Sequence, residues 1–313
     1  AKKIDAKPSP PARGMIPRDM ETPANESVRL AGQYNDPGAQ VPRGVLQVVS
    51  DAPVTIPPET SGRRELAEWL TNSDSGAGVL AARVQANRAW HHLMGRGIVR
   101  TVDNFGRTGE RPTHPDLLDY LAGGLIDHDW SIKWLHRRIL GSQAYRQAGN
   151  SQLASKTRAQ AAEIDPNNVF LWKFPRRRLS AEELRDTILL FSGQLDRAPG
   201  QGHAFPPEHE WKFGQHTPYI GSLKSRYRSV YLMRQRVKRH PFLATFDAAG
   251  PNVSTGQRVE STTALQALWL MNNPDFHALA EASARRLLSA TRHLPEVVQR
   301  AHVALTGHPP DKA

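Results

Sequence analysis

Hydrophobic residues recur every three or four positions along most of the chain, a spacing that places them on one face of an α-helix. The clearest stripes lie at residues 61–70, 79–94, 113–125, 131–139, 180–195, 265–273 and 297–305. Residues 180–183 form a capping box before one stripe, and Ser61, Ser131 and residues 113–116 mark other helix starts. The pattern predicts a mainly α-helical, multi-helix protein.

Short stretches of alternating residues predict a small β element beside the helices. Val28 and Leu30 alternate with polar residues, and residues 45–49 form a short apolar run. The turn sequence at 35–38 separates these two N-terminal strands. Residues 226–232 alternate as well and predict one more strand of the same element.

The chain is predicted to consist of an arm and a body. Residues 1–24 hold five of the 24 prolines and no hydrophobic period, which indicates an extended linker or arm. Residues 25–313 are predicted to form a single mostly helical domain with one core, because helical stripes throughout this range need partners. If this domain contains an internal break, the break lies at the polar stretch 147–168. Residues 197–223, rich in Gly, Pro and His, predict a long surface loop.

Charge adds a first indication of function. The 41 Lys and Arg residues outnumber the 30 Asp and Glu residues, which gives a net charge of +11. A basic surface favours acidic partners, such as nucleic acid, anionic polysaccharide, acidic lipid or an acidic protein face. Simple solubility is an equal alternative explanation of the charge.

Several kinds of protein and site are excluded by what the sequence lacks. The chain contains no cysteine, so it forms no disulfide, no thiolate metal site and no covalent c-type haem attachment. No apolar run approaches the roughly 20 residues of a membrane span. Residues 1–14 have no apolar stretch and are not a signal peptide. The serine nucleophile elbow and the phosphate-binding P-loop are also missing.

Polar residues between positions 92 and 114 form the candidate catalytic group. His92, Asp103 and His114 can act as general acids or bases if they meet in one pocket, and His136 is a further candidate. Asn104, Arg107 and Glu110 lie in the same stretch. The alternative interpretation is structural: these residues cap turns, form ion pairs and begin a helix.

The histidines suggest a metal site only weakly. Imidazole and carboxylate groups occur together in one loop at His203, Glu208, His209 and His216. Their spacing matches no metal-binding motif. His91 and His92 are adjacent and point to different faces of a helix. The sequence therefore predicts no metal site.

Two basic segments are the candidate residues for binding an anion or a partner. They are Arg176, Arg177 and Arg178, and Lys224, Arg226 and Arg228, and the second segment is extended by Arg234, Arg236, Lys238 and Arg239. Guanidinium groups bind phosphate, sulfate and carboxylate in a bidentate manner. Aromatic residues among them can stack on a base or a sugar ring. The alternative is an internal network of ion pairs with Glu182, Glu183 and Asp186.

A set of short motifs carries a resemblance to a known family. They are SGRRELAEWL at 61–70, NRAW at 87–90, GRGIVRT at 95–101, DNFGR at 103–107, THPDLLD at 113–119, LHRRI at 135–139, SQAYRQ at 142–147, FPRRRLSAE at 174–182, RSVYL at 228–232, FDA at 246–248, QAL at 266–268 and MNN at 271–273. From about residue 12 onward, the chain resembles the planctomycete-specific domain of unknown function DUF1553, or PSD1. That domain lies toward the carboxyl end of large exported proteins that also carry a cytochrome c module.

The resemblance implies an extracytoplasmic location, in the periplasm or cell envelope, and a linked or partner cytochrome c module. Haem is implied only on that module, and no cofactor is implied on this chain. The family tends to have a cysteine and paired arginines after residues 252–254, where this chain has Thr-Gly-Gln-Arg at 255–258. The family also continues beyond residue 313, so this chain resembles a fragment of a longer protein.

Function is predicted from these features together. We favour a non-catalytic binding or scaffolding domain whose basic face meets an acidic protein face, such as the cytochrome module, or an anionic polysaccharide. The alternative is an enzyme, a hydrolase or lyase acting on an acidic or sulfated polysaccharide. Nucleic-acid binding ranks last, because no DNA- or RNA-binding motif accompanies the charge.

Overall fold

A computed structural model describes residues 17–50, 52–74, 77–149, 155–199, 208–214 and 216–310. The described residues form a two-stranded antiparallel sheet and eleven α-helices. The strands are β1 (Glu26–Arg29) and β2 (Pro37–Val41). The helices are α1 (Arg63–Thr71), α2 (Ala77–Met94), α3 (Pro115–Asp127), α4 (Ile132–Leu140), α5 (Gln143–Arg146), α6 (Ser155–Ile164), α7 (Ala181–Phe191), α8 (Pro241–Thr245), α9 (Ala264–Asn272), α10 (Pro274–Ala290) and α11 (Leu294–Thr306). The prediction of a mainly helical protein with a small N-terminal β element is confirmed.

The chain divides into two compact units, residues 1–175 and residues 176–313. Each unit contains its own cluster of buried hydrophobic residues. The assignment of residues 25–313 to a single domain stays a prediction. Of the predicted N-terminal arm, residues 1–16 lie outside the described residues, and residues 17–24 contain neither helix nor strand.

The core of the first unit forms around α2, which packs mainly on α3 and also on α1 and α4. Small side chains on α2, at Ala82, Ala86 and Ala89, let the neighbouring helices approach closely. Leucines of α3 and the apolar positions of α4 fill the space against them. The fully buried members of this cluster include Leu118, Leu121, Leu125, Leu135 and Ile139.

A buried amide connects α2 to the irregular chain that follows it. The Asn87 side chain is fully buried, donates to the carbonyl of Val99 at 3.0 Å and accepts from its N–H at 2.8 Å. A Cβ at Gly97 would overlap the Val99 carbonyl and crowd the Asn87 amide. This close approach explains why residue 97 is a glycine.

The core of the second unit is an aromatic cluster formed by α8 and α9. Phe242 and Phe246 stack at 4.6 Å between ring centroids, and Trp269 meets both rings edge-on. Leu232 is buried against the same cluster, as are Ala181 and Leu243. This cluster therefore brings α7, α8 and α9 together with residues 229–232.

Several predicted element boundaries are corrected by the structure. The partner of β1 is β2, at residues 37–41, and not the apolar run 45–49, where residues 47–49 form a 3-10 turn. Val48 is 90 % exposed. An antiparallel ribbon is held by backbone hydrogen bonds, so a polar segment directly after the turn can pair without an apolar face.

The predicted strand at 226–232 is also wrong. Residues 229–231 form a 3-10 turn, and only Tyr227 makes an isolated parallel bridge, to Asp196. The physical reason is that side chains of α7 take up the hydrogen-bonding groups that a neighbouring strand would use.

The helix starts agree with the sequence except at two caps. Ser180 forms the predicted capping box with Glu183, and Ser131 caps α4. The residue at the start of α1 is Gly62, with φ at +83°, rather than Ser61. At α3 the N-cap is His114, and its side chain makes no capping hydrogen bond.

The two irregular stretches also contain helical structure. Residues 155–164 within the polar stretch 147–168 form α6, which has no buried residue. In the predicted loop 197–223, the described residues contain only a 3-10 turn at 208–210.

Glu183 joins the capping box of α7 to an ion pair. Both guanidinium nitrogens of Arg177 donate to its carboxylate, at 2.8 and 2.7 Å, and Ser180 donates through its N–H and its hydroxyl. The hydrogen bonds from Arg177, followed by those from Ser180, lower the pKa of Glu183 to about 2, against the opposing effect of partial burial.

Asn87→Ala should lower the free energy of unfolding by about 1–3 kcal/mol, because the N–H and C=O of Val99 lose their buried partners. Urea unfolding followed by circular dichroism measures the change. Gln85→Ala is the matched control, since Gln85 lies on the exposed face of the same helix and should change stability little. Equal stabilities of the two variants would contradict the role of Asn87.

Glu183→Gln should make the protein less sensitive to acid. The folded pKa of about 2 lies below the ordinary value of 4.5, so the carboxylate stabilises the fold above about pH 4.5 and loses this contribution as the pH falls toward 2. The difference in unfolding free energy between wild type and variant, measured in urea, should shrink over this range. Arg177→Gln should remove most of the same contribution, and a difference that stays constant with pH would refute the assignment.

Candidate functional site

The second unit contains a basic segment, defined as residues 224–239. It carries seven cationic side chains and no acidic residue. They are Lys224, Arg226, Arg228, Arg234, Arg236, Lys238 and Arg239. Apart from the 3-10 turn at 229–231, this segment has no helix, and its single bridge is at Tyr227. Its shape therefore depends on contacts from outside the segment.

Arg185 and Asp186 on α7 are the main anchors of the basic segment. The Arg185 side chain is buried and donates to the carbonyls of Ser225 and Tyr227 and to the hydroxyl of Ser229. The Asp186 carboxylate accepts from the N–H of Ser229 at 2.8 Å and from its hydroxyl at 2.6 Å. These bonds satisfy backbone groups that have no strand partner.

The electrostatics of Arg185 reflect this position. Burial lowers the pKa of its guanidinium, the carboxylate of Asp186 at 3.5 Å opposes the shift, and the charge of Arg226 adds to it. A buried charge is tolerated where hydrogen bonds and a counter-charge compensate for lost hydration. Arg185 meets both conditions.

Two further anchors hold the middle of the segment. Glu182 binds both Arg234 and Arg258. The Gln235 amide donates to the carbonyl of Tyr219 at 2.6 Å and to the hydroxyl of Ser222 at 3.2 Å. Four residues of α7, at positions 182, 183, 185 and 186, therefore bind partners that lie outside the α-helices and strands.

The structure separates the predicted anion-binding residues into two groups. Arg177 pairs with Glu183, and Arg178 pairs with Asp247 at 3.1 Å and also donates to the carbonyl of Ser261. These two arginines lie in the internal ion-pair network that was the alternative interpretation. Arg176 is exposed at the start of the second unit.

The cations of the basic segment differ from those two arginines. Six of the seven are exposed and one, Arg226, is partly buried. Within the described part of the chain, no ion pair is formed by Lys224, Arg226, Arg228, Arg236, Lys238 or Arg239. Their charges are therefore available to an external anion.

Exposed aromatic side chains precede this segment in the second unit. Trp211 is 51 % exposed and Phe213 is 43 % exposed. The ring of Phe213 meets that of Tyr219 edge-on at 5.4 Å, and Tyr219 is the residue whose carbonyl binds Gln235. Phe213 is thus connected to the basic segment through Tyr219 and Gln235.

The predicted acid–base residues lie in the first unit. The Asp103 charge acts on His91, and burial is the main cause of the lowered pKa of His91. His92 lies at 5.3 Å from His91, ring to ring. The described contacts of His114 are with the Thr113 hydroxyl at 2.9 Å and with the ring of Phe170.

His136 is exposed on α4. The described contacts therefore do not connect His92, Asp103, His114 and His136, and a common site for them stays a prediction.

The loop histidines lie in the second unit. His209 and Glu210 approach at 3.6 Å, and His216 is exposed. His203 and the side chain of Glu208 lie outside the part of the chain that the structure describes. Among the described residues, no group of three or more His, Asp or Glu side chains is arranged to hold a metal ion.

Sequence reasoning missed two residues of the second unit. Arg185 lies on the buried face of α7, one turn from Ala181 and one turn from Leu189. An arginine on this buried stripe was the feature of the sequence that could have identified it. His240 is partly buried directly before α8 and lies outside every motif that the sequence analysis identified.

Comparison with known proteins gives one match. The family model PSD1, described as a protein of unknown function (DUF1553), matches residues 62–313. No curated protein and no solved structure matches the chain. In the parts of the chain that are described, no helix has the length and apolar character to cross a membrane. Because the family model covers well over half of the sequence, the chain belongs to the PSD1 (DUF1553) family.

Proposed function

We propose that the chain is a non-catalytic binding module whose basic segment docks to an anionic polysaccharide. The observation that carries the proposal is the set of exposed cations in residues 224–239 that form no ion pair with a described residue. Paired arginines, such as Arg177 and Arg178, serve the fold, so the unpaired cations are the ones left for a partner.

The arrangement suits a sulfated or carboxylated polymer. The segment is irregular, and its anchors from α7 hold it in place before a partner arrives, so less conformational entropy is lost on binding. Guanidinium and ammonium groups bind sulfate and carboxylate oxygens. The exposed rings of Trp211 and Phe213 can stack on sugar rings, a contact that an acidic protein face offers less readily.

The wider context of the proposal comes from the family resemblance. In this context the module serves an exported protein of the periplasm or cell envelope that also carries a cytochrome c module. Haem then belongs to that module, since the present chain has no cysteine for covalent attachment.

Removing three cations of the basic segment should weaken polyanion binding. The variant Arg236→Gln/Lys238→Gln/Arg239→Gln should bind heparin about tenfold more weakly, because three exposed ion pairs contribute about 0.5 kcal/mol each. The slope of log affinity against log salt should fall by about 2 to 3. Heparin affinity chromatography and isothermal titration calorimetry over a range of salt concentrations measure both changes.

The matched control is Arg285→Gln/Arg292→Gln/Arg300→Gln, which removes the same charge from exposed positions on or beside α10 and α11. This control should bind heparin nearly as well as the wild type. Equal losses of heparin affinity in both variants would show that net charge alone determines binding. This result would refute the basic segment as the binding site. Tighter binding to polyglutamate than to heparin would favour an acidic protein face, rather than a polysaccharide, as the partner.

The same samples test the absence of catalysis. Heparin and polygalacturonate incubated with the protein should keep their chain length, as measured by size-exclusion chromatography. Shortening of either polymer would overturn the non-catalytic proposal and favour the hydrolase or lyase.

The native polypeptide should be larger than this chain and carry haem. An antibody against the module would capture it from the envelope fraction of the source organism, and its mass and haem absorbance would be read. A haem-free polypeptide near 34.8 kDa would contradict the link to a cytochrome c module. It would not affect the binding proposal, which the heparin experiment tests separately.

A further inference from the structure

The second unit contains a partly open cavity of about 60 Å³ next to the basic segment. One side is aromatic and apolar, formed by Phe242, Trp269 and Phe276. The other side is polar and carries Arg185, Arg226, His240 and Asp275. A space of this size encloses a few water molecules or part of a small organic molecule, and its opening leaves room for the rest of that molecule.

His240 is the unusual group of this cavity. Both of its ring nitrogens are buried, and neither has a hydrogen-bond partner in the described part of the chain. The backbone of Leu223 approaches the ring closely enough to raise its pKa slightly, but it does not reach hydrogen-bonding geometry. Buried polar groups in folded proteins nearly always have a partner. An imidazole without a protein partner, on the wall of a cavity, is available to a water molecule or a ligand in that cavity.

The charges around the cavity indicate the sign of that partner. Burial and then the charge of Arg185 lower the pKa of His240, which makes the imidazole neutral near pH 7. Arg226 in turn acts on Arg185. Two guanidinium groups and one carboxylate, that of Asp275, therefore line the cavity. Because Asp186 already compensates Arg185, Arg226, which forms no ion pair with a described residue, is the charge that favours an anion.

The donors of Arg185 are already engaged by the backbone of the basic segment. Arg226 forms no ion pair with a described residue, and His240 offers one donor and one acceptor nitrogen when it is neutral. These two side chains are the groups that can bind an anionic head. The aromatic side can bind an apolar ring or a short chain.

We propose that this cavity binds a small carboxylic acid with an aromatic or short apolar group, its carboxylate on Arg226 and His240 and its apolar part against Phe242, Trp269 and Phe276. This site shares Arg226 with the proposed polymer-binding surface. The experiment therefore changes His240 and leaves Arg226 unchanged, so that failure of one proposal does not imply failure of the other.

The probe is benzoate, titrated into the full chain with ¹⁵N-labelled histidine. The ring ¹⁵N resonances of His240 should shift saturably, with a dissociation constant of about 1 mM or tighter, which a ligand of this size reaches at modest efficiency. The resonances of His293, which is exposed near the start of α11, should not move. This measurement needs no variant, so it remains valid if substitution at His240 disturbs the fold.

The variants make the assignment specific. His240→Ala should weaken benzoate binding at least about tenfold, whereas His293→Ala should leave it unchanged. The triple variant at positions 236, 238 and 239 should keep benzoate binding while losing heparin binding. No saturable shift at His240 would overturn the site. Equal binding of benzyl alcohol would contradict the recognition of a carboxylate. Equal binding of acetate would contradict a contribution from the aromatic side of the cavity.

Discussion

One buried guanidinium determines the course of the basic segment. Arg185 extends from the buried face of α7 and donates to carbonyl groups of an irregular chain, which therefore needs no neighbouring strand. Burying this charge is costly unless its donors are satisfied, and the adjacent Asp186 supplies the counter-charge. The exposed cations of the segment can therefore keep a defined arrangement although most of them lie in neither a helix nor a strand.

The first unit solves a similar problem with a neutral group. Asn87 on α2 uses both ends of its amide to hold the N–H and C=O of Val99, and Gly97 makes room for this contact. In both units a polar side chain from a central helix satisfies the backbone of a segment without regular structure. Replacing such a side chain removes several constraints together, because every backbone group it held loses its partner at the same time.

The helices could be predicted from the sequence because their apolar stripes and caps are local features. The strand β2 could not, since backbone pairing leaves no apolar pattern in Pro37–Val41. The candidate site was predictable only in part. The sequence identified the basic residues, but the partner of Arg178 is Asp247, 69 positions away. Which arginines serve the fold depends on such distant contacts. His240 was missed because burial beside a cavity is a property of tertiary packing.

The unpaired cations also affect the protein when nothing is bound. Six positive charges lie within sixteen residues and repel one another, and this repulsion is screened over about 10 Å at 0.1 M salt. The folded second unit is therefore expected to gain stability as ionic strength rises, contrary to a fold held mainly by exposed ion pairs. An anionic partner that relieves the repulsion acts as a stabiliser of the native state. The basic segment thus links the folding equilibrium of the module to the ionic composition of its surroundings.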